Sequence, residues 1–315
     1  MQEPGDRDNE AYVREVHDKG LRFDLGTMSR RRMLAGVGGA GALALIALTG
    51  TAADAAALEE VESETAGPFP ADGSNGPDVR TESGIVRRDI RSSFGDLSGT
   101  AGGVPLDFSL VVLDLESAPI AGAAVYAWHC DREGRYSLYS TGVTDQNYLR
   151  GIQVTDASGS VTFTSIFPAC YSGRWPHIHF EVYSSLANAT TGAGPIVKTS
   201  QIAIPEDVAR QVYATAGYEQ SVTNLSRVTL AGDMVFGDDS AARELATVTG
   251  SVADGYAATL TIAVDPSGEE SGGGTPPPGG PGGPRPSGTP TASPTATATT
   301  AATVEESGRH WWWPF

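Results

Sequence analysis

Apolar and polar residues alternate with a period of two along much of the middle of the chain. Residues 106–115 place Phe108, Leu110 and Val112 on one side of an extended backbone, which predicts a strand with one buried face. Short apolar runs recur at 123–129, 161–166, 177–183, 197–204, 227–236, 244–250 and 258–264. Turn residues separate them, and Asp156-Ala157-Ser158-Gly159 predicts a hairpin-type turn before the run at 161–166. One segment departs from the period: residues 206–214 follow Pro205 and open with Glu206 and Asp207, which predicts a short helix. Many short strands, Gly/Pro/Asp turns and one or two short helices predict an all-β fold, a β-sandwich of mixed and antiparallel strands. Residues 56–64 read as a frayed acidic arm, 66–78 as a turn-rich loop, and 80–94 as holding no more than one short strand.

The two ends have another character. Residues 1–28 are polar and mixed in charge, and then comes Ser29-Arg30-Arg31-Arg32-Met33-Leu34 with a Gly/Ala/Leu run to Thr51. Paired arginines before a modest apolar stretch form a twin-arginine export signature, and Ala53-Asp54-Ala55 is a small-residue cleavage pattern. The apolar run is weakly hydrophobic, so cleavage is expected over anchoring, with no stable membrane span in the mature form. Residues 272–288 are Gly/Pro-rich and 289–303 are Thr/Ala/Pro/Ser-rich, a low-complexity composition that cannot build a core. The predicted organisation is an export signal at 1–55, one domain at 56–265 and a disordered tail at 266–315. The tail ends with Trp311-Trp312-Trp313-Pro314-Phe315, too short a run to make a module or to span a membrane.

Charge narrows the partners. Beyond residue 55 the chain carries 14 Lys and Arg against 30 Asp and Glu. So acidic a protein is a poor partner for nucleic acid or anionic membrane. The predicted location is outside the cell, where the charge also serves solubility.

Candidate chemistry is concentrated between Ile166 and Tyr183. His177 and His179 are one residue apart among strand formers, so both imidazoles leave one face of one strand. That arrangement can give a metal two nitrogen ligands, and it can equally be a half-buried polar patch. Tyr171 lies six residues before His177, and Tyr136 stands in G-R-Y after an apolar strand. Two phenols with two imidazoles suit ferric iron better than zinc or calcium. Tyr139 and Tyr148 compete with Tyr136 for that role but lack the G-R-Y context.

The constellation resembles the intradiol ring-cleavage dioxygenases, the family of catechol 1,2- and protocatechuate 3,4-dioxygenase. The resemblance rests on T-A-G-P-F-P from Thr65, W-H-C-D-R-E-G-R-Y-S from Trp128 and Y-L-R-G-I-Q-V-T-D from Tyr148. It continues with F-P-A-C-Y-S-G-R-W-P-H-I-H-F from Phe167 and T-S-Q from Thr199, all in the family's order. It implies a β-sandwich core and an Fe(III) held by Tyr136, Tyr171, His177 and His179, with no organic cofactor. Tyr171 would be the axial ligand displaced by substrate, with His179 as the other axial ligand. Arg174 would stabilise charge on the ring, and Gln201 would lie beside the substrate. The implied substrates are O2 and a catechol or polyphenol, cleaved between the hydroxyl-bearing carbons to a muconate-type diacid. Trp175 and Phe69 are placed at the pocket by position. No long helical dimerisation segment is read before the core. Together with the export signal, this makes the chain similar to the secreted branch of the family, and leaves its oligomeric state open.

Two cysteines, Cys130 and Cys170, adjoin the two tyrosine loops. An exported protein with both loops at one iron is expected to join them as a disulfide. Two other readings stay open from sequence: a zinc or copper H-x-H site, and a non-enzymatic extracellular β-sandwich that binds glycan or a protein partner.

Overall fold

The computed structural model describes residues 57–270, except 75 and 193. The residues that read as an export signal and its cleavage site, and the Trp-rich end, lie outside the described residues. The elements in chain order are β1 (Pro105–Leu113), β2 (Ala124–Trp128), β3 (Arg150–Val154), β4 (Ser160–Ile166) and β5 (His177–Tyr183). They continue with α1 (Leu186–Thr190), β6 (Ile196–Ala203), α2 (Glu206–Tyr213), α3 (Glu219–Leu225), β7 (Thr247–Ser251) and β8 (Gly255–Ala263). The strands form two four-stranded sheets, ordered β4-β1-β8-β7 and β3-β2-β5-β6. Only β1 and β8 run parallel; the other named pairs are antiparallel. The all-β sandwich is therefore as the alternation predicts. Among the described residues no helix is long and apolar enough to cross a membrane.

Leu106, Phe108, Leu110 and Val112 of β1 point into the sandwich, as their spacing requires. They meet Val125 and Ala127 of β2, Ile178, Phe180 and Val182 of β5, and Ile202 of β6. Strand β5 is buried at every position because its outer face is covered as well. The cover is the segment that reads as loop in the sequence. Ala66, Ala71, Val79, Ile85 and Phe94 pack on Tyr126, Trp128, Ile152 and Tyr183. Its single-residue bridges, Val86 to Ile152 and Asp89 to Thr164, replace the short strand expected at 80–94.

The structure corrects several expectations. The arm before Thr65 is not frayed: Val61 N–H donates to Ala263 O at 2.9 Å and Glu64 N–H to Thr199 O at 2.8 Å. Lys198 Nζ adds Glu60 at 2.9 Å and Glu270 at 3.2 Å, so residues 266–270 are also held by the sheet. Strand β3 went unread because it opens with Arg150-Gly151. The Arg150 guanidinium is buried on the carbonyls of Pro70 and Ser137, at 3.0 Å each. Gly151 permits a close crossing, since a Cβ there would meet Ile90 Cγ2 at 2.5 Å. Helices α1 and α3 were likewise not expected. No strand forms at 227–236; a 3-10 turn at Leu230–Gly232 runs into Asp233. The Asp233 carboxylate accepts the Val235 and Phe236 N–H groups at 2.9 and 3.1 Å, a local satisfaction of backbone that competes with a ladder.

Cys130 and Cys170 are both buried and both free in this structure, in place of the expected disulfide. Each thiol instead donates to a carbonyl of the Tyr171 loop region, Cys130 Sγ to Ala169 O at 3.6 Å and Cys170 Sγ to Arg174 O at 3.4 Å. Burial raises the Cys170 thiol to about 12, far from the thiolate that exchange chemistry needs.

Two stability measurements follow. Phe180→Ala removes a fully buried ring between the sheets and is expected to cost about 3–5 kcal/mol in denaturant unfolding. Glu244 is enclosed, with Ser200 Oγ donating to its Oε1 at 3.2 Å, and burial beside Asp239 pushes its carboxyl from 4.5 up to about 8. The folded state thus holds a proton that the unfolded chain releases near its ordinary value. Its stabilising share is complete at low pH and is lost as pH rises to about 8 and beyond. Glu244→Gln is expected to match the parent Tm near pH 4.5 and to exceed it at higher pH by roughly a few degrees. An unchanged gap across that range would contradict the assignment.

Candidate active site

Strand β5 supplies two imidazoles to the outer face of its sheet. In the antiparallel register, His179 lies opposite Trp128 of β2 on one side and Gln201 of β6 on the other. Trp128 stacks flat on His179, with centroids 4.9 Å apart and planes 2° from parallel. His177 is fixed from its far nitrogen: Nδ1–H donates to Trp175 O at 2.5 Å, which leaves the Nε2 lone pair facing the site.

The phenols come from loops. Tyr136 follows β2 in a loop tied around Asp131, whose carboxylate takes Arg135 Nε at 2.9 Å and the Tyr148 hydroxyl at 3.0 Å. Ser140 Oγ accepts the Tyr136 N–H at 2.9 Å. Tyr171 sits in the loop before β5, and the two longer helices brace it. Tyr213 of α2 donates to Pro168 O at 3.0 Å, while Asn224 of α3 donates to Cys170 O at 2.9 Å.

These four side chains converge. Tyr136 Oη stands 3.4 Å from His177 Nε2 and 3.3 Å from His179 Nε2. Tyr171 Oη stands 3.2 Å from His177 Nε2, and the two Nε2 atoms are 3.1 Å apart. Two donors bound to one ion at roughly 2.1 Å, 90–110° apart, stand about 3.0–3.4 Å from each other. The observed spacing therefore matches the edges of one coordination polyhedron. Three groups crowd the single lone pair of His177 Nε2, a conflict that a shared cation resolves. Burial, with the Tyr171 phenol beside it, holds the Tyr136 phenol well above its usual value. Burial and the Arg174 charge hold His177 well below its own; for His179, burial and then His177 do the same. Burial thus disfavours the charged forms of Tyr136, His177 and His179, and nearby positive charge would favour the Tyr136 phenolate. The residues present fit a metal ion.

The competing tyrosines are engaged elsewhere. Tyr148 donates to Asp131, and Tyr139 Oη accepts the Ala71 N–H at 3.0 Å. Phe69 lies over Tyr136 at 5.0 Å and Tyr139 at 5.1 Å, a wall of the site as its position suggests. Trp175 packs in the sandwich core, and its indole donates to Ile204 O at 2.8 Å. Gly67, with φ of 68°, brings the cover down on His179; a Cβ there would meet the imidazole Cε1 at 3.4 Å.

Arg174 and Gln201 are joined, Nη2 donating to Oε1 at 2.7 Å, and Gln201 Nε2 donates to Thr65 O at 2.9 Å. The partner that sequence reasoning missed is Asp233, which takes Arg174 Nε at 3.1 Å in the interior. Phe236, also missed, packs 6.4 Å from His177 and under the Arg174 guanidinium at 5.9 Å. The one available signal was Gly232-Asp233, a turn pair interrupting an otherwise strand-like run.

The match to a family model falls on the same residues. A family model described as Dioxygenase matches residues 76–191, which include both tyrosines, both histidines and Arg174. Chlorocatechol 1,2-dioxygenase of Rhodococcus opacus is 41% identical over 64 residues, 20% of this chain and 25% of that protein. Hydroxyquinol 1,2-dioxygenase of Rhizobium sp. (strain MTP-10005) is 33% identical over 60 residues, 19% of this chain and 20% of that protein. The chain thus matches 25% or less of the length of these two curated relatives. A solved structure titled an intradiol ring-cleavage dioxygenase from Tetranychus urticae aligns with a TM-score of 0.54 and 25% identity, over 68% of this chain and 98% of that one. With its sandwich, its ordered motifs and these relatives agreeing, the chain is similar to the intradiol ring-cleavage dioxygenases in fold and in the segment that carries the site.

Proposed function

We propose that the protein is an Fe(III) dioxygenase that cleaves catechol-type rings between the two hydroxyl-bearing carbons and places both atoms of O2 in a muconate-type diacid. The observation that carries this reading is the convergence of two phenol oxygens and two imidazole nitrogens at 3.1–3.4 Å. Tyr136, Tyr171, His177 and His179 would hold the ion, and hard oxygen with imidazole donors favours iron in its ferric state. When bound, that ion supplies Lewis acidity for ionising phenols and an electron-accepting centre for oxygen chemistry.

The chain's own residues do the rest. His177 and His179 are fixed by Trp175 O and the Trp128 ring, so their nitrogens do not need to reorganise. Tyr136 is fully enclosed, whereas Tyr171 is only half-buried and joins the cluster through His177. Tyr171 is therefore the group able to swing aside for a catechol, its Oη taking one of the substrate's protons. Arg174 lies close enough for its charge to act on both histidines, and it places a cation beside developing ring charge. Gln201 holds that guanidinium from the β6 side. Phe69 offers an apolar face to a ring.

We also place the protein outside the cell, exported by the twin-arginine route. Support comes from Ser29-Arg30-Arg31-Arg32, the small-residue pattern at Ala53-Asp54-Ala55 and the acidic balance beyond them. Extracellular catechols and polyphenols are the substrate class that this location favours.

Oxygen uptake over a panel of catechols tests the activity. Tyr171→Phe is expected to lower kcat by about 10²–10⁴-fold with the circular-dichroism spectrum unchanged. Turnover close to the parent would overturn its role. His177→Ala is expected to weaken ferric binding by more than the roughly 10–100-fold that loss of an outer partner costs. Loading also has a pH sign. Because burial holds the Tyr136 phenol protonated well above neutrality, ferric binding must release phenol protons, so affinity rises with pH. Titration of ferric ion, supplied as a chelate and corrected for the chelate added to buffer alone, into weakly buffered protein is expected to release about two protons from the two phenols; no release beyond that blank would contradict the ligand set.

A further inference from the structure

Asp233 is buried and its carboxylate is saturated by four groups of this chain. Oδ2 accepts Arg174 Nε at 3.1 Å and the Trp175 N–H at 2.6 Å. Oδ1 accepts the Val235 and Phe236 N–H groups at 2.9 and 3.1 Å, and lies 3.3 Å from Arg174 Nε. An enclosed carboxylate and guanidinium are each costly to bury unless paired in good geometry. The pair is therefore mutually fixed. The fixation then spreads along two lines. Through Arg174 Nη2 it reaches Gln201 and Thr65 O, one residue from the loop that crosses His179. Through Trp175, whose N–H binds Asp233 and whose carbonyl takes His177 Nδ1–H, it reaches the imidazole cluster.

We propose that Asp233 is the positioning residue of the reaction: it sets the plane and depth of the Arg174 guanidinium beside the bound ring. The inference rests on the reading above, in which Arg174 faces the substrate. Asp233 touches neither substrate nor the four-donor cluster, and it acts through Arg174. Its local turn bonds alone would be met by any residue with a short acceptor side chain. What asks specifically for a carboxylate is the guanidinium on its other edge, since a planar fork needs an anionic partner in an enclosed site.

The test is a double-mutant cycle between Asp233→Asn and Arg174→Gln on the iron-loaded protein, with metal content and kcat measured for catechol. In the parent background Asp233→Asn is expected to keep its iron and to lose about 10–100-fold in kcat, the cost of a misplaced group. In the Arg174→Gln background the same change is expected to alter kcat by less than about twofold, because the group it positions is gone. Equal losses in both backgrounds would make Asp233 a turn staple only and overturn the proposal. Unchanged kcat in Arg174→Gln alone would instead remove Arg174 from the reaction, a failure of the underlying reading that is distinguishable from the first.

A readout independent of turnover uses the metal-free protein. The Arg174 Nε–H is expected to be strongly protected from hydrogen exchange by NMR, and to lose that protection in Asp233→Asn. Equal protection in parent and variant would contradict the pairing. Asp233→Ser serves as a second variant, because its hydroxyl can still accept the Val235 or Phe236 N–H while offering the guanidinium no charge. Failure of both variants to fold would assign Asp233 to the fold alone and also overturn the proposal.

Discussion

A strand with no wet face governs this structure. In most antiparallel sheets one side of each strand meets water, and polar residues at alternate positions need no further explanation. Strand β5 is buried on both sides, by the opposite sheet inside and by the 66–94 cover outside. Its alternate residues His177, His179 and Glu181 are therefore committed to partners. Glu181 takes the Tyr183 hydroxyl at 2.5 Å, and burial raises its carboxyl to about 8. The two histidines take each other, two phenols and a stacked indole. The period of two delivers the imidazoles to one face, and the lack of water gives that placement its chemistry.

The rest of the chain serves to hold two loops against that face. The Asp131 knot holds Tyr136, and α2 with α3 holds Tyr171, each through side chain to backbone bonds of ordinary length. Thiols of Cys130 and Cys170 add weaker ties in the same place. A third tie crosses the Tyr171 loop at Arg174, running from Asp233 through Arg174 and Gln201 to Thr65. The result is preorganisation: burial disfavours both the imidazolium forms of His177 and His179 and the phenolate of Tyr136, and an added cation would favour the phenolate.

Much of this was legible in the sequence, for a physical reason. Period two survives in β1 and β5 because each packs a strict inner face, so the alternation alone places Phe108, Leu110 and Val112 and the H-x-H pair. The site tyrosines came from motif order, and the fold brings Tyr136 and Tyr171 to the histidines while engaging Tyr139 and Tyr148 elsewhere. What escaped was set by tertiary partners. Arg150-Gly151 does not look like a strand until Pro70 and Ser137 take the guanidinium and Ile90 needs the missing Cβ. The acidic arm looks frayed until Lys198 receives it. Asp233 sits in a run that reads as strand, and its partner lies 59 residues away in the chain. No local pattern reports a contact of that kind.

The central claim is that the four-donor cluster holds ferric iron with both tyrosines bound as phenolates and an open place for a catechol. The most direct measurement is the visible absorption spectrum of the iron-loaded protein, before and after catechol is added without oxygen. The account predicts a reddish tyrosinate-to-Fe(III) band that shifts to longer wavelength when catechol binds. A protein that stays colourless after loading with ferric iron would contradict it, and a band that catechol leaves unchanged would contradict the open site.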